Sequence, residues 1–279
     1  MRSLLRPFVA LLLAILPTAC GNLNFYSDEE LEPLSLQAYQ EAQQTNPPIT
    51  SGKDYEMVQR VARKIAAACE ENFAWEAKLL KADDTPNAFC LPNGRIAVYS
   101  GLLPITQNED ALAVVLGHEV AHAVLRHGGK RMTQGMLTQA GLTAVDAGLG
   151  IASMSQEARG NVLAVLGLGA NVGMLLPFSR EHESQADVEG LRYAIRAGYD
   201  PNEAPKLWER MAKLSGGNST PAWLSTHPAS EARAQTLREM IPKLVEQEKN
   251  WHPKPTQPAP TPAPGSTPTK KVEPGAVNR

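Results

Sequence analysis

The motif His-Glu-x-x-His occupies positions 118 to 122 of the chain. Residues four apart on an α-helix differ by about 40° around the axis, so both imidazoles project from one face. Two neutral imidazoles placed in this way can bind one Zn²⁺ ion. Glu119 would lie beside that ion, where a carboxylate can take a proton from a water molecule that the metal activates. With only six histidines in the chain, such a pattern rarely arises by accident.

A long helix must carry this motif. Asn108 is suited to be its N-cap, and the acidic residues 109 and 110 suit the positive end of the helix dipole. The apolar run 111–125 then leads to a predicted helix stop at Gly128 and Gly129. Because the flanks are apolar, the motif is expected to be buried, where unliganded polar groups would be costly.

A catalytic zinc ion usually has three protein ligands and a water molecule, so a third ligand must come from another segment. His127 is predicted to lie at a solvated helix end, out of reach of the metal. A second helix is predicted from Ser179, as its N-cap, to Gly198. On that helix Glu183 can reach the metal, and Asp187, four residues later on the same face, can accept the outer N–H of a ligand imidazole.

The region before the metal-binding helix has the pattern of a small sheet. A helix is predicted over 54–70 and a strand over 75–81. Strands 88–91 and 95–99 flank the turn sequence at 92–94, which favours a hairpin. The predicted fold class is therefore α+β and mainly helical, with a small antiparallel sheet beside the metal-binding helix.

The two predicted helices together resemble the gluzincin family of zinc metallopeptidases that contains HtpX, BepA, LoiP, the mitochondrial Oma-type proteases and the CAAX prenyl proteases. Three further segments resemble the same family: the strand region with Asn87, Ala88 and Phe89, the lead-in 177–180, and the Ser-Thr-His-Pro sequence at 225–228, which Arg233 follows. The resemblance covers about residues 25–245. The periplasmic lipoprotein peptidases of the LoiP and BepA type fit best.

This resemblance implies a zincin-like domain and a zinc-dependent endopeptidase. It implies one zinc ion per chain, held by His118, His122 and Glu183, with Glu119 as the general base. Strand 88–91 or strand 95–99 would bind an extended substrate by β-addition, which favours unfolded or misfolded envelope and outer-membrane proteins. The implied role is protein quality control in the periplasm.

His227 has three interpretations at the level of sequence. It can stabilise the oxyanion, alone or with Arg233. It can occupy the fourth zinc position at rest and hold the enzyme latent, as the resemblance to BepA suggests. Finally, it can be a loop histidine that caps the helix beginning near Pro228.

A second class of function also fits the sequence. The protein could be a chaperone-like binding or assembly factor of the outer membrane, whose zinc site is structural or silenced, in contact with the outer-membrane assembly machinery. The presence of Glu119 favours the peptidase, because a structural site has no need of that carboxylate.

The N-terminal segment is typical of a signal peptide over residues 1–19. Arg2 and Arg6 precede an apolar run at 8–16, which is too short to span a bilayer. Cys20 follows Thr-Ala, which resembles a lipobox whose cysteine is lipidated; ordinary signal cleavage near Ala19 is the alternative. No aspartate adjoins Cys20, so the resemblance implies anchoring to outer-membrane lipid on the periplasmic side.

The remaining chain divides by composition. Residues 20–50 are interpreted as a lipid-anchored tether with one short helix near 33–44, and residues 51–250 as the metallopeptidase domain. Eight of the 22 prolines lie in 251–279, which predicts a disordered or polyproline-II tail. The apolar run 162–176 is short for a membrane span and is interpreted as a helical cover over the active-site cleft, with a membrane-contacting lid as the alternative.

Overall composition excludes other classes of protein. Hydrophobic residues make up 43% and charged residues 20% of the 279 residues, as expected of a chain with a core. A net charge of −2 and 5% aromatic residues argue against nucleic-acid binding. Besides Cys20, only Cys69 and Cys90 are present; they could form a disulfide in an oxidising compartment, or remain two separate buried thiols.

Overall fold

The computed structural model describes residues 23–135, 178–215, 222–228 and 231–253. The predicted signal peptide, Cys20, the apolar run at 162–176 and the tail from residue 254 lie outside the described residues. Among the helices that are described, none combines the length and apolar character needed to cross a bilayer.

The described residues form a mainly helical α+β fold around a small sheet. The strands are β1 (Pro48–Ile49), β2 (Glu76–Leu80), β3 (Ala88–Leu91) and β4 (Arg95–Tyr99). The helices are α1 (Asp28–Thr45), α2 (Lys53–Ala68), α3 (Leu103–Thr106), α4 (Glu109–Val124), α5 (Arg180–Arg196), α6 (Glu203–Ser215), α7 (Ala222–Thr226) and α8 (Glu231–Glu248). Residues 127–135 are also helical.

The sheet has the order β1-β2-β4-β3. The predicted hairpin is confirmed, since β3 runs antiparallel to β4 with Phe89 opposite Ala97. The prediction that the sheet is antiparallel throughout was wrong, because β2 pairs with β4 in parallel. The reason is burial. The stretch 96–99 of β4 is fully buried and lies between β2 and β3, while the half-exposed β3 is left at the edge. Strand β2 therefore pairs with β4 rather than with β3, and these two strands run in the same direction.

Side chains of β4 alternate between two apolar clusters, as the pleat of a strand requires. Ile96 and Val98 face the main core, which contains the buried faces of α2 and α4. Ala97 and Tyr99 face the opposite way and pack with Tyr39 of α1. The sheet is therefore covered on both faces.

The segment interpreted as a tether is in part folded against the domain. Ser27 caps α1, which is longer than the short helix that was predicted. Glu32 of α1 forms a salt bridge of 2.6 Å with Arg95, and the Tyr39 hydroxyl donates to the carbonyl of Ile96 at 3.1 Å. Strand β1 adds to the sheet beside β2. The folded unit thus includes residues well before position 51.

Cys69 and Cys90 are both free thiols in the structure, so the disulfide considered from the sequence is not formed in it. Cys69 lies at the end of α2 and is buried, which raises the pKa of its thiol to about 11. Cys90 lies in β3 and is half-buried. The alternative of two separate thiols describes both residues.

Helices α4 and α5 touch through their backbones at two glycines. A Cβ atom on Gly190 of α5 would lie 2.5 Å from the backbone nitrogen of His118, and a Cβ atom on Gly117 of α4 would clash with the carbonyl oxygen of Gly190. Any side chain here would force the helices apart. This contact brings Glu183 of α5 to the histidines of α4.

We expect Gly190→Ala to destabilise the zinc-free protein by about 1–3 kcal/mol, because the added methyl group overpacks a contact between two rigid helices. Thermal unfolding would measure the change. Gly128→Ala is the matched control, since a Cβ at Gly128, also in a helix, meets nothing within 4 Å. Its effect should stay below about 1 kcal/mol. Equal unfolding temperatures for the two variants would contradict this account of the helix contact.

Candidate metal centre

Two imidazoles of α4 form the first part of the site. The Asn108 side chain caps α4 by accepting from the backbone N–H of Ala111 at 2.8 Å, as predicted. Every residue from 111 to 123 is buried, so the motif enters the core rather than a surface groove. The Nε2 atoms of His118 and His122 lie 3.0 Å apart. The helix therefore presents two imidazole nitrogens to one point.

Helix α5 supplies a carboxylate at the same point. Ser179 caps this helix by accepting from the N–H of His182 at 3.1 Å, which confirms the predicted helix start. One turn later, Glu183 Oε1 lies 3.3 Å from His122 Nε2, and its Oε2 lies 3.6 Å from His118 Nε2. Glu183 is thus placed as a third ligand.

His227, directly after α7, places a fourth donor in the same cluster. Its Nδ1 lies 3.2 Å from His118 Nε2 and 2.9 Å from Glu183 Oε1. Each of the four residues offers one ligand atom, and these atoms all lie within 4.8 Å of one another.

This donor set fits zinc. A tetrahedral zinc ion with ligands at about 2.0–2.1 Å keeps those ligand atoms roughly 3.3 Å apart, close to the spacing seen here. Three imidazole nitrogens face one another at a buried point, and a cation is the partner that accepts the lone pairs of all three. Imidazole and carboxylate are ligands that zinc prefers. His118, His122 and Glu183 thus form a zinc-binding site.

The charges at the site also suit a cation. Burial would raise the pKa of Glu183, but the neighbouring His118, His122 and His227 outweigh burial and hold its pKa well below the usual value. Burial lowers the pKa of His122 far below its usual value. The carboxylate is therefore ionised and that imidazole neutral at physiological pH, the forms in which each binds metal.

Asp187 and Arg233 surround the ligands. Asp187 Oδ1 lies 3.1 Å from His118 Nδ1, where it can orient the imidazole as expected from the sequence. Arg233 donates to Asp187 Oδ1 at 2.6 Å and to Glu183 Oε2 at 2.7 Å, with its guanidinium 3.6 Å above the ring of Trp208. In this structure Arg233 fixes the two carboxylates of α5.

The prediction that His127 is solvated was wrong. The residue is completely buried, and its Nδ1 lies 3.0 Å from Nδ1 of His122. Helix α4 ends at Val124, and Arg126 adopts a left-handed conformation with φ of 55° before the helix resumes. This turn points His127 inward. Sequence periodicity assumes a straight helix, so it gave no signal for the contact.

Glu119 lies beside the four donors. Its Oε1 accepts a hydrogen bond from the indole N–H of Trp223 at 2.5 Å and lies 3.4 Å from His227 Nε2. Trp223 was not predicted from the sequence. Its position four residues before His227 was an available signal, because a helix at 222–226 places both on one face.

The predicted substrate-binding residues lie next to this site. Asn87 precedes β3, and its side chain accepts from the N–H of Ala88 at 3.0 Å. Phe89 points to the other face of the sheet, against Tyr99. The backbone N–H of Trp223 donates to the carbonyl of Pro86 at 3.2 Å, so α7 touches the start of the edge strand.

Comparisons with known proteins agree with this geometry. The chain is 39% identical over 188 residues to the mitochondrial metalloendopeptidase OMA1 of Schizosaccharomyces pombe, with 67% of this chain and 52% of that protein covered. It is 32% identical over 219 residues to the metalloprotease LoiP of Escherichia coli, with 77% and 82% covered. It is 28% identical over 205 residues to a putative beta-barrel assembly-enhancing protease of Vibrio cholerae, with 72% and 42% covered.

The chain spans about half the length of the curated OMA1 relatives from the two yeasts. Over residues 50–241, more than half of the chain, the sequence matches peptidase family M48. This range contains all four metal-facing residues, Glu119 and the edge strand. The chain therefore belongs to peptidase family M48.

Proposed function

We propose that the protein is a zinc-dependent endopeptidase that cleaves unfolded or misfolded proteins of the bacterial envelope. The observation that carries this proposal is the position of Glu119. Its carboxylate is buried next to the four donors and has no ligand role among them. A purely structural zinc site has no need of such a group, whereas hydrolysis needs a general base at that place.

Each residue of the site has its own role in the proposed hydrolysis. Zinc held by His118, His122 and Glu183 would act as a Lewis acid on the scissile carbonyl and lower the pKa of the attacking water. Glu119 takes the proton of that water on a carboxylate oxygen and passes it to the leaving amine. Asp187 keeps the ring of His118 in the orientation that metal binding needs.

His227 is proposed to hold the resting enzyme latent. Its Nδ1 lies among the donor atoms and its Nε2 faces Glu119 at 3.4 Å, so the imidazole stands where substrate and water would otherwise enter. Trp223, in α7 just before His227, donates a hydrogen bond from its indole N–H to a carboxylate oxygen of Glu119. Movement of α7 would release both groups together.

Few backbone bonds hold α7 in this position among the described residues. The N–H of Trp223 donates to Pro86, and the N–H of Phe178 donates to the carbonyl of Thr226 at 3.2 Å. The first of these bonds joins α7 to Pro86, which lies just before the edge strand β3. A substrate that adds to β3 would therefore act next to the segment that closes the site.

The edge strand supports an extended substrate. The N–H of Tyr99 donates to the carbonyl of Asn87 at 3.0 Å. Because hydrogen bonds alternate along an antiparallel pair, the backbone groups of Ala88 and Cys90 face away from β4. The N–H of Ala88 is already bonded to the Asn87 side chain, so a substrate strand would pair with the backbone groups of Cys90 and with the carbonyl of Ala88, and only an unfolded segment can supply such a strand.

The proposed location is the periplasm, with Cys20 as a lipid anchor in the outer membrane. Support comes from the lipobox-like sequence and from the similarity to LoiP, which extends over 82% of that protein. The proposed task is quality control of envelope proteins.

Glu119→Gln should lower proteolysis by at least about 100-fold, because the amide cannot accept the proton of the attacking water. Casein degradation by the zinc-loaded protein is the assay, and a chelator should abolish the wild-type activity. Zinc content of the variant should equal that of the wild type, since Glu119 is not a ligand. Equal casein degradation by both proteins would remove the peptidase proposal and leave the chaperone-like alternative.

His227→Ala should raise casein degradation about tenfold if the closed form is populated to about 90%. His252→Ala, which changes an exposed histidine outside the site, is the control and should have no effect. A fall in activity would instead assign His227 to oxyanion stabilisation. Unchanged activity would leave it a loop histidine.

Cys20→Ser should move the protein from the membrane fraction to the soluble periplasmic fraction. Incorporation of labelled palmitate should be lost in the same variant, because the thiol is the acceptor of the lipid. Membrane association and labelling that persist in the variant would contradict the anchor.

A further inference from the structure

A line of polar side chains leads from the zinc ligand His122 to the surface. Nδ1 of His122 lies 3.0 Å from Nδ1 of His127. Nε2 of His127 lies 3.0 Å from Oε1 of Gln185, and Nε2 of Gln185 donates to the exposed carboxylate of Glu181 at 3.2 Å. No residue of this line beyond His122 belongs to the donor cluster.

The protons of this line have one consistent arrangement. Nε2 of His122 faces the donor cluster with its lone pair, so the neutral ring carries its proton on Nδ1. Nδ1 of His127 must then accept, which leaves the proton of that ring on Nε2. Nε2 of His127 donates to the oxygen of Gln185, whose amide is oriented by its own donation to Glu181. Every donor in the line has an acceptor.

We propose that His127 is the positioning residue for the zinc ligand His122, with Gln185 and Glu181 completing the hydrogen-bond line. Asp187, whose Oδ1 lies 3.1 Å from Nδ1 of His118, is proposed for the corresponding role at that ligand. A ligand imidazole whose outer N–H is held keeps its tautomer and ring orientation, and loss of such a partner typically weakens metal binding by about 10–100-fold. The inference rests on the zinc site that underlies the proposed function.

The local backbone supports a specific role. Arg126, an exposed non-glycine residue, adopts φ of 55°, a conformation that L-residues avoid. This turn is what carries the next residue into the interior. His127 is then stacked on the ring of His182, with centroids 4.3 Å apart and an interplanar angle of 16°. A strained turn that buries a polar ring is costly unless the buried ring nitrogens make hydrogen bonds.

The experiment compares two isosteric variants of His127. In His127→Asn the amide oxygen stands near the position of Nδ1 and can accept from His122, whereas His127→Leu has the same shape without an acceptor. Zinc affinity is measured by competition with a chromogenic chelator, on the full chain without substrate. We expect affinity to fall about 10–100-fold in the leucine variant and to stay within about threefold of wild type in the asparagine variant.

A second pair keeps the test valid if the leucine variant fails to fold. Gln185 is half-exposed, so Gln185→Met should fold and remove the acceptor for His127, while Gln185→Glu keeps an oxygen at that place. The Gln185→Met variant should bind zinc more weakly than the wild type, and the Gln185→Glu variant should not. Thermal unfolding of the zinc-free proteins checks that each variant is folded.

The outcomes separate this inference from the proposed function. The role of His127 alone would be overturned if the asparagine and leucine variants of His127 lost zinc affinity equally. It would also be overturned if neither His127→Leu nor Gln185→Met lost zinc affinity. A wild-type chain that binds no zinc would overturn this inference and the peptidase together. A zinc-binding wild type that is inactive, together with an equally inactive His227→Ala variant, would overturn only the peptidase.

Discussion

The backbone contact between α4 and α5 at Gly117 and Gly190 is the constraint on which the site depends. One helix carries both imidazoles and the other carries the carboxylate, so the distance between their axes sets whether one ion can touch all three. At this crossing the helices are as close as two backbones allow, because neither glycine has room for a Cβ atom. Polar contacts between the helices at the cluster, such as His122 to Glu183 at 3.3 Å, do not by themselves set this distance. The apolar surface that α4 buries over residues 111–123 does that instead.

The same closeness creates an electrostatic problem that the surrounding residues solve. Glu119, Glu183 and Asp187 are three carboxylates in one buried volume, and burying them without partners would be strongly unfavourable. Arg233 compensates two of them at once, and Trp208 supports the guanidinium from below. Among the described residues, Glu119 contacts the indole N–H of Trp223 and the imidazole of His227, and it interacts electrostatically with Arg131. Glu119, the proposed general base, is thus not one of the two carboxylates that Arg233 holds.

Much of the site could be predicted from the sequence, because helix periodicity relates residues three or four apart without knowledge of the fold. The pairs His118/His122 and Glu183/Asp187 follow from that rule, the caps Asn108 and Ser179 follow from N-cap preferences, and the structure places them accordingly. His127 could not be found in this way, since its contact with His122 depends on the left-handed turn at Arg126. The central place of β4 and the packing of α1 on the sheet depend on long-range burial, which no local pattern records. Trp223 was overlooked even though its spacing from His227 was regular.

Two residues at α7 were not settled by the sequence: Trp223, which was not predicted, and His227, whose role had several interpretations. Trp223 lies in this short helix and His227 directly follows it, and between them they contact Glu119, Glu183 and His118. A side chain that bonds to the proposed general base and one that completes the donor set would both oppose turnover, and both give the buried polar cluster hydrogen-bond partners. If the proposed latency holds, catalysis needs an interaction that replaces the contacts α7 provides. A substrate strand added along β3, as proposed, would begin beside Pro86, the residue to which α7 is bonded, so substrate binding and opening of the site would involve the same few atoms.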